Sequence, residues 1–274
     1  MERAHLIVGG FPPGSTSSHD MDFARRELLS RLGKREELAT TVSSDFSDLR
    51  KWLHGAQLLI TYTAGPYPDD EEHSALTEWL EDGGRWLGLH GTSGGKAARV
   101  EGSWRRMMVK LPHHETLGCF FLNHPPLRRF DVSVVDSSHP ITAGLPESFE
   151  VADELYLIEI TGDCNVLLTT ELPEDPSPEN FGFLYDKDTS LQADGKTRVL
   201  GYTKAVGDGE VAYIALGHCH SPATNQQPIV DTSVDPDGKS PGSFRGVWDE
   251  GVFMRLVDNA IGWGLSAPGA NALP

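Results

Sequence analysis

The chain has 274 residues, enough for one large α/β domain or two small ones. Its net charge of −17, from 23 basic and 40 acidic residues, argues against nucleic acid and anionic membrane surfaces as partners. No apolar run approaches the roughly 20 residues that span a bilayer. The N-terminus MERAHLIVGG lacks a secretion-signal pattern, and three cysteines without metal-type spacing fit a reduced, cytoplasmic setting.

Residues 4–8 read as a buried strand ending at Gly9 and Gly10. After a loop at 11–20, Phe23, Leu28, Leu29 and Leu32 recur at helical spacing and predict a helix over 21–32, stopped by Gly33. A short strand at 37–42, a short helix at 46–53 and a buried strand at 57–62 (QLLITY) follow. Asp69, Asp70, Glu71 and Glu72 favour a helix start, where acids complement the dipole; Ala75, Leu76, Trp79 and Leu80 give that helix, 69–81, its buried face. Residues 85–89 form the next strand. Strands alternating with helices over short connections predict a mostly parallel sheet with helices on both faces.

Further along, a helix is expected at 96–108 and strands at 131–135, 154–160 and 165–170. A Pro-, Asp- and Gly-rich surface excursion spans 171–195. Residues 199–202 and 210–216 predict a hairpin around Gly207-Asp208-Gly209, a turn suited to positive φ. The long loop 221–245, with Pro222, Pro228, Pro236 and Pro241, has the length of a lid or interface segment, and a helix at 251–264 closes the chain. No repeat or linker divides it, so residues 1–274 are expected to form a single domain with long loops near 171–195 and 221–245.

Two apolar strands end on histidine and glycine: RWLGLH runs into GTSGG at 91–95, and EVAYIALGHCH carries Gly217, His218 and His220. In an open α/β sheet ligands bind outside the carboxyl ends of strands, so His90 and His218 are expected at one edge. His124 in FLNHPP and the pair Asp153-Glu154 in ADELY add to the set. Two or three histidines with one carboxylate suit a divalent ion, although only the fold can gather residues so scattered. His139 reads as a turn residue capping backbone groups, and His5, His19, His54 and His73 as ordinary surface or helix positions.

Residues 91–95 also match G-x-S-x-G, and Ser93, Asp153 or Glu154, and His218 follow the order of a hydrolase triad. An elbow nucleophile stands directly after its strand, however, and His90 occupies that place. Capping of a following helix by Thr92 or Ser93 explains the pattern as well. A nest of backbone N–H groups at 92–95, holding a carboxylate or a sugar hydroxyl, is a third reading.

The landmarks GLHG (88–91), LGCFFLNHP (117–125), HPITAGLP (139–146), DELY (153–156), YIALGH (213–218) and NAIGW (259–263) together resemble the ThuA-like, or trehalose-utilisation, family across nearly the whole chain. The resemblance implies a flavodoxin-like fold related to class I glutamine amidotransferases. That superfamily's cysteine nucleophile falls at His90 and its histidine at His218, so amidotransferase activity is expected to be lost. It further implies catabolism of a small-molecule carbohydrate, with isomerisation, elimination or hydrolysis of an oxidised (keto) sugar or glycoside. His90 and His218 are then candidates for base and acid, with Glu154 orienting one of them or ligating a divalent metal ion, and His90, His124, Glu154 and His218 as the metal set. Thr92, Ser93, Asp153, Tyr156 and His220 are the expected substrate contacts. Tyr156 and Trp104 suit stacking on a sugar ring or packing in the core. A non-catalytic carbohydrate-binding or regulatory protein and a serine hydrolase using Ser93 are the alternatives, and a homodimer is left open.

Overall fold

Continuous apolar runs dominate the first strands because central parallel strands are buried on both faces. In a computed structural model, which describes residues 2–10 and 18–266, the chain runs β1 (Glu2–Gly10), α1 (Met21–Leu32), β2 (Leu38–Ser43), α2 (Leu49–Leu53), β3 (Leu58–Ala64), α3 (Asp70–Glu81) and β4 (Arg85–Leu89). There follow β5 (Lys96–Arg99), β6 (Arg106–Val109), α4 (His113–Leu117), β7 (Cys119–Asn123), β8 (Arg128–Val134), β9 (Ser148–Asp153), β10 (Leu157–Ile160) and β11 (Asn165–Glu171). The chain closes with β12 (Thr197–Val206), β13 (Gly209–Ile214) and α5 (Gly251–Leu265). Residues 11–17 of the expected first loop lie outside the described residues.

Nine strands form one mixed sheet in the order β2-β1-β3-β4-β13-β12-β11-β8-β9. The first five are parallel neighbours and every later pairing is antiparallel. The sheet is therefore less parallel than the strand-helix alternation of the first third suggests. Ala4, Leu6, Ile7 and Val8 of β1, Leu58 to Ile60 of β3 and Trp86, Leu87 and Leu89 of β4 lie at the centre of the core. The acids before α3 act as expected: Asp69 accepts from the backbone N–H of Glu71 and Glu72, while the Glu72 carboxylate accepts from that of Asp69.

Three local expectations fail. Residues 96–108 are a β-hairpin, not a helix: Lys96 pairs with Val109 and Arg99 with Arg106 around a turn in which Gly102 takes φ 75°. Thr92 and Ser93 cap no helix, because His90–Ser93 is a single 3-10 turn leading into β5. Residues 154–156 are irregular, and the strand expected there begins at Leu157.

Candidate active site

The parallel half delivers three side chains to the carboxyl ends of its strands: His90 is the first residue beyond β4, His218 lies just beyond β13 and His19 comes from the connection after β1, while Glu154 directly follows β9 of the antiparallel half. His90 holds φ 44°, a left-handed conformation uncommon outside glycine. The Tyr213 hydroxyl donates to its carbonyl at 2.7 Å. The next position must be glycine, since a Cβ on Gly91 would stand 2.6 Å from the Thr63 carbonyl oxygen.

Asp153 organises the other side. Its carboxylate accepts from the backbone N–H of Gly217 at 2.6 Å, His218 at 2.9 Å and Glu154 at 2.9 Å. The Gly217 carbonyl in turn receives the Tyr62 hydroxyl at 2.9 Å and the Trp248 indole at 2.7 Å. Gly217 itself takes φ 136°. One buried acid thus fixes the backbone that presents both His218 and Glu154. Burial pushes the Asp153 carboxyl up to about 7.

Carbonyl partners fix the ring tautomers, because a carbonyl only accepts. His90 Nδ1 lies 2.8 Å from the Ala215 carbonyl and therefore carries the proton; its Nε2 faces His19 Nε2 at 3.1 Å and Glu154 Oε2 at 3.3 Å. His220 Nε2 donates to the Pro241 carbonyl at 2.8 Å, so its Nδ1 accepts from His218 Nε2 at 3.0 Å. That leaves His218 Nδ1 directed inward, 3.1 Å from Glu154 Oε2 yet without a hydrogen bond. The other Glu154 oxygen accepts from the Gln227 amide and lies 3.6 Å from His124 Nε2. His124 Nδ1 donates to the Pro125 carbonyl at 2.9 Å, so Nε2 is again the nitrogen without a proton.

Burial outweighs the attraction of Glu154 and pushes His218 down to about 4, so this ring is neutral at physiological pH. Burial also opposes ionisation of Glu154; only protons on the facing rings, through positive charge at His124 and His218 and hydrogen bonds from His218 and His90, would hold its carboxyl well below the ordinary range, and the tautomers above place no proton on those nitrogens. A neutral His218 cannot supply that charge. The direction that stands is the neutral His218, whose burial is complete.

Above the cluster opens a cavity of about 930 Å³, lined by His19, His124, Glu154 and Tyr156 on its floor and by Trp104 and Phe181 among its walls. Trp104, at the tip of the β5–β6 hairpin, is 72% exposed. The Tyr156 ring stacks on His90, with centroids 4.1 Å apart. Residues 226–228 of the long loop also line the cavity, so this loop covers the chain's own site.

Of the expected substrate contacts, Tyr156 alone lines the cavity. Asp153 spends its carboxylate on backbone, and His220 holds His218. The Thr92 hydroxyl donates to the Thr61 carbonyl at 2.9 Å. The Ser93 hydroxyl, fully buried, bonds the Tyr213 hydroxyl at 2.7 Å and no imidazole, so it is not wired as a nucleophile. Within the expected metal set, His90, His218 and Glu154 come together, whereas His124 sits beside the far oxygen of Glu154. His19, expected as an ordinary surface position, takes the fourth place: one ligand atom from each of His19, His90, Glu154 and His218 lies within 4.8 Å of the others. His5 is likewise buried, bonded to Thr41 and Ser43. The missed signal for His19 is positional: it follows the first strand, at the same sheet edge as His90, and its neighbour Asp20 donates its N–H to the Cys219 carbonyl at 2.8 Å.

The sequence profile of the ThuA family, described as trehalose utilisation, matches residues 14–232. No significant sequence relative is found among curated proteins. Among solved structures, a protein described as ThuA-like from Bacteroides uniformis is similar at 18% identity and a TM-score of 0.63, covering 97% of this chain and 91% of its own. Another from Parabacteroides merdae is similar at 16% identity and a TM-score of 0.54, covering 97% and 90%. The mmIFT52 N-terminal domain matches at 12% identity and a TM-score of 0.51 over 100% of both chains. At these identities the structural matches speak for the fold alone.

Proposed function

The chain belongs to the ThuA, trehalose-utilisation, family, and from that premise and the cavity floor we propose that it is an enzyme of carbohydrate catabolism acting on an oxidised, keto-form sugar or glycoside. The strand order β2-β1-β3-β4-β13 supports reading the parallel half as flavodoxin-like. In that reading His90 stands where a glutamine amidotransferase needs its thiolate, so acyl transfer from glutamine has no nucleophile.

A keto group acidifies the carbon beside it. Reaction there needs a base for the proton and a group that stabilises the developing oxyanion. The observation that carries the proposal is His124: 14% of its side chain is exposed, it lines the cavity, and its unprotonated Nε2 lies beside the buried Glu154 cluster. His124 takes the role of base. His90 and His218 are not among the lining residues, so they act through what they hold and not on the sugar directly. The inward atoms of His90, His218 and Glu154 are acceptors, so the oxyanion needs a positive charge, which would be held at the point that these residues ring with His19. Tyr156 and Trp104 offer ring faces to a sugar.

The test follows proton exchange, which needs no assumption about the final product. A 3-keto-glucoside and its unoxidised parent are incubated with the protein in D2O and followed by NMR. Exchange or conversion is expected for the keto-glycoside only, reduced on the order of 100-fold or more in His124→Ala. Saturable binding of the keto-glycoside without exchange would identify a non-catalytic carbohydrate-binding protein and sink the proposal.

A further inference from the structure

The hydrogen-bond wiring of the floor is complete on its outer side and open on its inner side. His90 and His218 each spend their N–H outward, on the Ala215 carbonyl and on His220. Both inner nitrogens, with Glu154 Oε2, then bring lone pairs to one place. A proton on His19 can satisfy at most one of these acceptors. His218 Nδ1 has no hydrogen-bond partner among the described residues, although a carboxylate oxygen lies 3.1 Å away. Buried acceptors facing each other in this way need a shared cation.

We propose that a ring nitrogen of His19, His90 Nε2, His218 Nδ1 and Glu154 Oε2 bind one divalent first-row transition-metal ion of the zinc class. The inference deepens the proposed function by naming what fills the oxyanion point, and it rests on the same site. Metal–nitrogen bonds of about 2.0–2.1 Å place two ligands of one ion about 2.9 Å apart at a right angle and about 3.4 Å apart in a tetrahedron. The contacts His90–His19, His218–Glu154 and His90–Glu154 measure 3.1, 3.1 and 3.3 Å, within that interval. Three imidazoles and one carboxylate select a borderline metal over magnesium or calcium, which take oxygen ligands. The outer partners match those that orient metal ligands: a backbone carbonyl on His90, a second imidazole on His218, and the Gln227 amide on the free oxygen of Glu154. His19 and Glu154 line the cavity, so the ion would lie at its edge, where a sugar oxygen would have to reach it as a fifth ligand.

The protein is stripped with chelator, dialysed and titrated with Zn²⁺ and separately with Mg²⁺ by calorimetry. Co²⁺ is then added and its visible spectrum read. One Zn²⁺ per chain is expected, with no Mg²⁺ uptake at the same concentrations and with cobalt bands that zinc displaces. Glu154→Gln and His90→Asn are expected to weaken zinc binding at least 100-fold. His220→Ala, which touches no metal, is expected to weaken it about 10- to 100-fold. Failure of the stripped wild-type chain to take up zinc or cobalt overturns the inference, and so does uptake unchanged in both folded cluster variants. Stoichiometric uptake without sugar turnover removes the proposed function and leaves the metal site standing. Turnover without uptake does the reverse.

Discussion

Two groups of buried histidines lie close together, and only one has the makings of a centre. At the cavity floor, His19, His90 and His218 surround a carboxylate. In and around α4, His113 and His114 lie tilted by 36° with centroids 4.0 Å apart beside Tyr67, with His73 nearby on α3, and no carboxylate makes an ion pair with any of the three among the described residues. The ring of His114 is closed on itself: Nδ1 accepts from the Leu111 N–H at 2.8 Å and Nε2 donates to the Gly94 carbonyl at 2.8 Å. His218 differs in that its lone pair meets no donor and faces a carboxylate. Density of histidine is therefore no measure of function. The direction of the free lone pair, and an anion to share a cation with it, separate a site from packing.

The sharpest way to break this comparison is to make one substitution in each group. Glu154→Gln keeps the shape and removes the charge. Activity on the keto-glycoside is expected to fall at least about 100-fold. The stripped protein's unfolding free energy should stay within about 1 kcal/mol or rise, because a neutral amide is easier to bury than a carboxylate lacking a cation. His114→Ala is expected to do the opposite. It orphans the Leu111 N–H and the Gly94 carbonyl, costs about 2–4 kcal/mol by urea unfolding, and leaves turnover per folded molecule within a few-fold. Equal losses of activity in both variants would erase the distinction.

The floor also has its own pH signature. In the metal-free protein His218 is held at about 4 against an ordinary 6.5, so the unfolded chain binds more protons between these values. The stability it contributes is complete above pH 6.5 and is lost as pH falls towards 4. His5, also pushed down to about 4 by burial, adds a slope of the same sign from outside the site. Asp153, raised to about 7, opposes both: its contribution is greatest below its ordinary value of 3.8 and is lost as pH rises to 7. Asp153→Asn removes the opposing proton. Between pH 4.5 and 6.5 its stability should rise more steeply with pH than the wild type's, by up to about 1.4 kcal/mol per pH unit. Parallel curves would show that Asp153 titrates normally and does not share the floor's burial.

Much of this site could be read in the chain because sequence and topology agree there. An apolar run that stops at His90-Gly91 or Gly217-His218 marks a buried strand and its carboxyl end at once. Asp153 and Glu154 were visible as a pair, but not their division of labour, which depends on the turn that lets Asp153 reach the backbone N–H groups of 217 and 218. His19 sits in a Ser-rich segment with no periodicity, and contacts distant in sequence bring it to the cluster, among them the Asp20-to-Cys219 backbone bond and the Asp20–Arg245 ion pair. The 96–109 hairpin misled because Ala97, Ala98, Arg105 and Met107 have strong intrinsic helix propensity. Pairing of Lys96–Arg99 with Arg106–Val109 overrides that preference across the Gly102 turn. The antiparallel half was harder still, since β8 and β9 pair across an intervening segment that no local pattern announces.

His113 supplies the smallest and most discriminating effect. Both of its ring nitrogens are buried without a hydrogen-bond partner among the described residues, and burial keeps the ring uncharged. The ring packs as an aromatic plate against Tyr67, 5.1 Å between centroids and 12° from parallel. Phenylalanine keeps the plate and removes two unsatisfied polar atoms at the expense of slightly more volume. His113→Phe is therefore expected to change stability by about 1 kcal/mol or less, in the stabilising direction, with zinc uptake and turnover untouched. A loss above about 2 kcal/mol in urea unfolding would mean that a nitrogen of His113 is engaged after all. The α4 histidines would then be a polar network like the floor rather than a stack, and the carboxylate that faces His218 would alone distinguish the two groups.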